Sequence, residues 1–174
     1  MLKTIALVVV LLVAAVLGYA ATKPDAFRVE RATTIKAPPA KVHALISDLK
    51  HWTTWSPWEK RDPAMKRTYG AVSSGKGAVY AWEGNKEDGA GRMEITESAP
   101  EKLVIKLDFL QPFEAHNTAE FTLVPQGESA RVTWAMHGPA PFVSKVMQVF
   151  VSMDRMVGKD FETGLANLKA AAEK

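Results

Sequence analysis

Residues Pro141–Lys174 read PFVSKVMQVFVSMDRMVGKDFETGLANLKAAAEK, and their apolar spacing decides what the rest of the chain can be. Val146, Val149, Phe150, Met153, Val157, Phe161, Leu165 and Leu168 recur at the i, i+3, i+4, i+7 spacing of one helical face. Lys145, Gln148, Ser152, Arg155, Lys159 and Glu162 fall on the other. The pattern predicts a single long amphipathic helix whose start is marked by Pro139 and Pro141, because proline is tolerated in a first helical turn and no deeper. Gly158 and Gly164 interrupt it at about 1 kcal/mol each relative to alanine, so close packing or a slight bend is expected there. Met147, Met153 and Met156 lie beside Phe150 and Phe161 on a face broad enough to need a sheet beneath it. Two readings stay open. The helix seals a solid core, or helix and sheet stand apart around a cavity.

Working back from the helix, the chain supplies the strands. Alternation and turn residues predict Met65–Val72, Gly77–Gly84, Gly91–Ser98, Lys102–Leu110, Ala115–Val124 and Ser129–Gly138, with Ser74-Gly75, Asp88-Gly89 and Gln126-Gly127 as turns of an antiparallel meander. Met93 and Ile95, Leu103 through Phe109, Ala119 through Leu123, and Val132, Trp134 and Met136 point inward at every second position. Lys106, Asp108, Glu120 and Arg131 alternate with them, so one face of the sheet is wet. Further upstream, Phe27–Ala37 reads as a first strand in which Arg31 shares the inward parity; it is expected to reach solvent at a strand end. Pro39 opens a short helix with Val42, Leu45, Ile46 and Leu49 on one face. Trp52, Trp55 and Trp58 then crowd a turn-rich segment, and must pack over a sheet edge or line an opening. The fold class is α+β, a curved antiparallel sheet gripping a long C-terminal helix.

The 174 residues, 47% hydrophobic and 24% charged, make one globular domain with a small extension. A formal charge of +3, with basic residues alternating with acids, leaves no nucleic-acid footprint. The absence of cysteine removes disulfides, thiol catalysis and thiolate metal sites. Ile5–Ala21 is uncharged and almost all Val, Leu and Ala, at the lower edge of the roughly 17–25 residues that a spanning helix needs. Residues 1–22 are therefore read as a retained inner-membrane anchor and 23–174 as the domain; Gly18-Tyr19-Ala20 keeps open a signal peptide cleaved after Ala20. Lys3 precedes the span while Lys23 and Asp25 cancel behind it, which places the domain outside the cytoplasm, in a bacterium the periplasm.

The strand ending Ile35-Lys36-Ala37-Pro38-Pro39 with Val42 beyond it, the Asp48…Trp52…Trp55-Ser56-Pro57-Trp58 segment, Gly77…Trp82-Glu83-Gly84-Asn85 and the closing helix together resemble the polyketide cyclase/dehydrase-like members of the SRPBCC (START-like) superfamily. The resemblance runs from about Phe27 to the C-terminus. It implies a helix-grip fold with a hydrophobic cavity under the long helix, in proteins that bind lipids, polyketides or other apolar small molecules. It does not imply catalysis, since a fold hosts many functions.

The chemistry legible in the residues is sparse. His43, His51, His116 and His137 form no metal-ligand pair, and neither metal nor cofactor is expected. If Gln126-Gly127 is a two-residue hairpin loop, His116 faces His137, Phe121 faces Val132 and Ala119 faces Trp134, with both histidines on the wet face. Glu83 and Glu59, each beside aromatic residues, are the best acid/base candidates, with Arg31 or a tyrosine in support. The positive signal is apolar. On the strands Tyr69, Tyr80, Trp82, Met93, Phe109, Phe121, Trp134 and Met136, and on the helix Phe150 and Met153, are the expected ligand-binding residues. A packed core is the plainer reading of the same set. Three functions compete: an anchored binding protein for a hydrophobic or lipid-like molecule, a cyclase-, dehydratase- or hydrolase-like enzyme on an apolar substrate, and a structural partner of an envelope complex.

Overall fold

Two- and three-residue connections join β4 (Ala90–Ala99) to β5 (Lys102–Gln111), β5 to β6 (Ala115–Gln126) and β6 to β7 (Ser129–Pro139), and links this short permit only antiparallel neighbours. In a computed structural model describing all 174 residues, these strands, with β1 (Ala26–Ile35), β2 (Lys66–Tyr69) and β3 (Val79–Glu83), form one seven-stranded sheet. Its order is β1-β7-β6-β5-β4-β3-β2, antiparallel throughout. The inward residues Ile95, Leu103, Ile105, Phe121, Leu123 and Val132 are all but fully buried, and α5 (Met153–Ala172) lies over that face through Phe161, Leu165, Leu168 and Ala172. The architecture is the expected α+β helix grip.

The C-terminal helix is two helices. α4 (Phe142–Phe150) stops at Val151, whose backbone is extended, and Ser152 starts α5 by accepting a hydrogen bond from Arg155 N at 3.2 Å, with Asp154 in the first turn. A serine cap with an acid just behind it is a strong local start signal. The break frees α4 from the sheet. It packs instead against α1 (Leu2–Ala21), and Phe150 is left 68% exposed. The two glycines of α5 serve close approach. A Cβ at Gly164 would lie 2.7 Å from the Trp134 ring, and one at Gly158 would collide with the Arg31 guanidinium.

Arg31 is a correction too. It sits in the middle of β1, opposite Trp134, and not at a strand end. Its guanidinium donates to Asp154 and Glu162 of α5, each at 2.7 Å, so the inward charge finds its partners on the helix. The tryptophan segment, which opens with the single-turn helix α3 (Trp52–Trp55), is pinned beneath α2 (Pro39–Ser47): Trp52 Nε1 donates to Ile46 O at 2.9 Å and Trp55 Nε1 to Leu45 O at 3.2 Å. Trp55 in turn offers its carbonyl to Asn167 of α5 at 3.0 Å.

The β6–β7 register differs from the expected one by two residues. The loop is Gly127-Glu128, so Phe121 faces Trp134, Ala119 faces Met136 and His137 faces Thr118. Gly127 takes φ +64, the conformation demanded at the first loop position of a primed hairpin turn, and that requirement outweighs the alternative spacing. The shift is even, so inward parity survives while the two histidines part. His116 instead bonds Asp108 of β5 at 2.7 Å, and His137 lies 3.5 Å from Glu120. The bond to Asp108 raises the His116 pKa, whereas burial lowers that of His43, only partly offset by a hydrogen bond to the Ala99 backbone. For Asp108, burial pushes upward but the bonds to His116 and Lys106 outweigh it, leaving the carboxyl below its usual range. A proton NMR titration should thus place His116 above the ordinary histidine value of about 6.5 and His43 below it. The signs follow by linkage. The His116 contribution is complete below that value and fades as pH rises through its folded pKa, whereas the fold loses stability as pH falls below the value because unfolding frees His43 to protonate.

Candidate functional site

Under α5 the interior is part solid and part hollow. The solid part is an aromatic plug. Trp134 stacks on Phe161 of the helix with centroids 4.3 Å apart and nearly parallel rings, and on Phe121 at 4.9 Å. Trp55 and Trp58 meet Trp134 edge-on at 5.5 and 5.6 Å, and Trp52 lies against Trp55 at 4.8 Å. Helix and sheet touch here, with no gap between layers.

Beside the plug the layers separate around a cavity of about 210 Å³ lined by 19 residues, 14 of them hydrophobic. Its sheet wall is built from Tyr80, Trp82, Met93, Ile105, Leu107, Phe109, Ala119 and Met136, and the Trp134 face closes one side. Trp52, Trp58 and Met65 enter from the turn-rich segment, and Val157 and Phe161 from α5. Glu87 and Asp88 of the β3–β4 turn and Arg61 border the exposed rim, which leaves the cavity open on one side. Such a space exceeds the roughly 150 Å³ that admits benzene and falls short of the ~300 Å³ at which drug-sized pockets begin.

Behind the rim the polar residues of the wall are Glu59 and the buried Ser56, and the one ionisable group of the two is already engaged. Glu59, in the short 3-10 turn Trp58–Lys60, has a side chain only 5% exposed. One carboxylate oxygen accepts from Arg67 Nε at 2.6 Å and the other from the Tyr80 hydroxyl at 2.7 Å, while the Glu59 carbonyl accepts from a second Arg67 nitrogen at 3.0 Å. Burial, reinforced by this hydrogen bond and by the charge of Glu59, pushes the Tyr80 pKa far upward, so its phenol stays protonated. At the rim, Arg61 is held by Asp160 at 2.6 Å, and buried Asp62 accepts from the Asn85 and Ala64 amides, both at 2.9 Å, tying the segment to the β3–β4 turn.

Of the ten residues expected to bind ligand, Tyr80, Trp82, Met93, Phe109, Trp134 and Met136 line the cavity. Tyr69 packs behind Tyr80 at 5.1 Å, Phe121 is buried in the plug, and Met153 packs on the core without reaching the wall. Phe150 is exposed on α4 and is not part of the wall, because the helix break removes it from α5. Glu83 lies outside, 68% exposed and 3.3 Å from Lys66, so only Glu59 of the two acid candidates reaches the cavity. Trp52, Trp58, Met65, Leu107 and Val157 were not among the expected ten. Val157 had a signal, one helical turn before Phe161; Met65 had none.

A family described as polyketide cyclase/dehydrase and lipid transport matches residues 26–173. No curated protein sequence matches this chain. Several solved structures share the fold. The protein CV1439 from Chromobacterium violaceum is 15% identical at a TM-score of 0.58, covering 87% of this chain and 99% of that one. The Zhui aromatase/cyclase from Streptomyces sp. R1128 is 14% identical at 0.58, covering 85% and 94%. The di-domain aromatase/cyclase StfQ from the steffimycin biosynthetic pathway is 14% identical at 0.61, covering 85% of this chain and 51% of StfQ.

Proposed function

Because the chain belongs to the polyketide cyclase/dehydrase and lipid transport family, we propose that its cavity holds a compact apolar or amphipathic molecule, or one end of a longer lipid-like one, without transforming it. The single observation that carries this reading is that the Glu59 carboxylate, the acid group in the wall, has both oxygens occupied, by Arg67 and Tyr80. An apolar space whose ionic group is neutralised suits capture by desolvation and offers no free base. The protein is then a binding protein held at the inner membrane by α1, which is apolar and long enough to cross. Lys3 ahead of the span supports a domain on the periplasmic side. The tether would concentrate the cavity at the bilayer.

Ala119 lies on the cavity floor, facing Ile105 and Met136 in the neighbouring strands. Ala119→Phe should fill the space, weakening capture of an apolar fluorophore such as N-phenyl-1-naphthylamine by about tenfold or more while thermal unfolding shows the fold retained. Native mass spectrometry of the wild-type protein should reveal a co-purified apolar guest that the variant lacks. A wild-type protein that is empty and takes up no fluorophore sinks the reading.

A catalytic reading draws on one feature, the Tyr80–Glu59 hydrogen bond within an apolar wall. The phenol has one proton to give and would have to turn it from Glu59 to a substrate carbonyl, breaking the bond to the carboxylate. On that reading Tyr80→Phe abolishes turnover but leaves capture of the guest intact.

A further inference from the structure

The cavity's rim, the exit of α1, α4 and the β5–β6 connection all lie at one end of the sheet. Ala26 opens β1 opposite Pro139, where β7 closes and the chain turns into α4, and β6 begins and β5 ends at the same end. The β3–β4 turn, carrying the rim residues Glu87 and Asp88, is there as well. α1 ends at Ala21, so no more than about 17 Å of chain separates it from β1. The junction is stapled: Ala140 N donates to the Asp25 carbonyl at 2.7 Å, and Lys145 Nζ to its carboxylate at 2.5 Å.

That salt bridge uses the only charged residue of α4, Lys145, which is buried although the Asp25 carboxylate it meets stays exposed. What α4 presents outward is Phe142, Val143, Met147 and Phe150, followed by Val151, all between 45% and 72% exposed. Phe113 in the β5–β6 connection adds a ring 73% exposed. Soluble surfaces carry such residues singly; a charge-free helical face of them marks an interaction surface. It is continuous with α1, which packs against α4 and is itself apolar and exposed along nearly its whole length. The same medium suits both helices.

We infer that α4 and Phe113 lie in the headgroup–acyl boundary of the bilayer that holds α1, so that the rim of the cavity opens at the membrane surface and the guest enters from lipid. The inference rests on α1 being a retained span. The docking is apolar, lacking the basic cluster by which electrostatic anchors find anionic lipid.

The chain has no cysteine, so a single introduced thiol takes one fluorophore. In the full chain reconstituted into phosphatidylcholine vesicles, labels on Met147→Cys and Phe113→Cys should lose most of their emission to doxyl-labelled phosphatidylcholine. A label on Glu128→Cys, in the hairpin at the far end of the sheet, should keep its emission. Val10→Cys reports the span itself. Quenching at 10 with none at 147 and 113 overturns the docking and leaves the anchor standing; no quenching at 10 removes the anchor and the docking with it. Lipid-insensitive labels at 147 that instead transfer energy between differently labelled chains overturn the inference in favour of a second copy covering α4.

Discussion

Trp134→Ala is expected to destabilise the domain by about 3–5 kcal/mol, whereas Trp134→Phe is expected to change its stability by less than about 1 kcal/mol. Trp134 is 2% exposed and is the ring through which sheet and helix meet, stacked on Phe161 and Phe121 and bordered edge-on by Trp55 and Trp58. Truncation to alanine removes those contacts and joins the vacated volume to the existing cavity, so the interior has little prospect of collapsing to recover them. Phenylalanine keeps most of the stack. It also deletes the indole N–H, which is buried with no hydrogen-bond partner. An unpaired buried donor costs about 1–3 kcal/mol, and its removal offsets the smaller ring. Urea unfolding followed by far-ultraviolet circular dichroism separates the two variants without relying on the tryptophan signal. If phenylalanine proves as costly as alanine, the indole N–H has a partner in solution and the plug is organised around it.

The contrast between plug and cavity is where reading from sequence stops. Strand alternation marks Phe121, Trp134, Met93 and Met136 equally as inward, because parity says which face a side chain leaves from. It does not say how far the facing helix stands off at that point. Distance depends on sheet curvature and on where α5 lies, and Gly164 draws the helix down onto Trp134. The strands themselves were legible to within one to three residues, since each carries period-two hydrophobicity bounded by turn residues. The helix break was not, because apolar spacing runs on from Phe150 to Met153 and a periodicity window averages over the extended Val151; Ser152 with Asp154 behind it was the local signal. Arg31 was legible as a charge of inward parity but was expected to reach solvent, because its partners Asp154 and Glu162 are more than 120 positions away in the chain. The Glu59–Arg67–Tyr80 cluster brings together a turn and two strands. Glu59 and Tyr80 were each singled out, but no periodicity connects a turn with two strands, so their joining through Arg67 was not legible.

Removing the Glu59 carboxylate should cost about 3 kcal/mol, a large effect for a residue outside the core cluster. Glu59→Ala leaves the Arg67 guanidinium, whose side chain is 23% exposed, without its charge partner, and leaves the Tyr80 hydroxyl facing an apolar wall with no acceptor. Arg67 keeps a bond to the Met65 carbonyl at 2.8 Å and some access to water, so the cost falls at the lower end of what breaking a buried pair entails. Tyr80→Phe should cost only about 1 kcal/mol, since it removes one donor while the carboxylate retains its ion pair. In a double-mutant cycle the two changes should couple by about 1 kcal/mol, because each single change forfeits the same hydrogen bond. Alkaline pH probes the same bond. A phenol whose folded pKa is raised contributes stability that is complete below its unfolded value of about 10 and declines as pH rises beyond it. The wild-type protein should therefore lose stability more steeply above that point than Tyr80→Phe does. Equal slopes, or a Glu59→Ala protein as stable as the wild type, would mean that the carboxylate is hydrated and free, and an unengaged acid within the cavity wall would put the enzymatic reading ahead of the binding one.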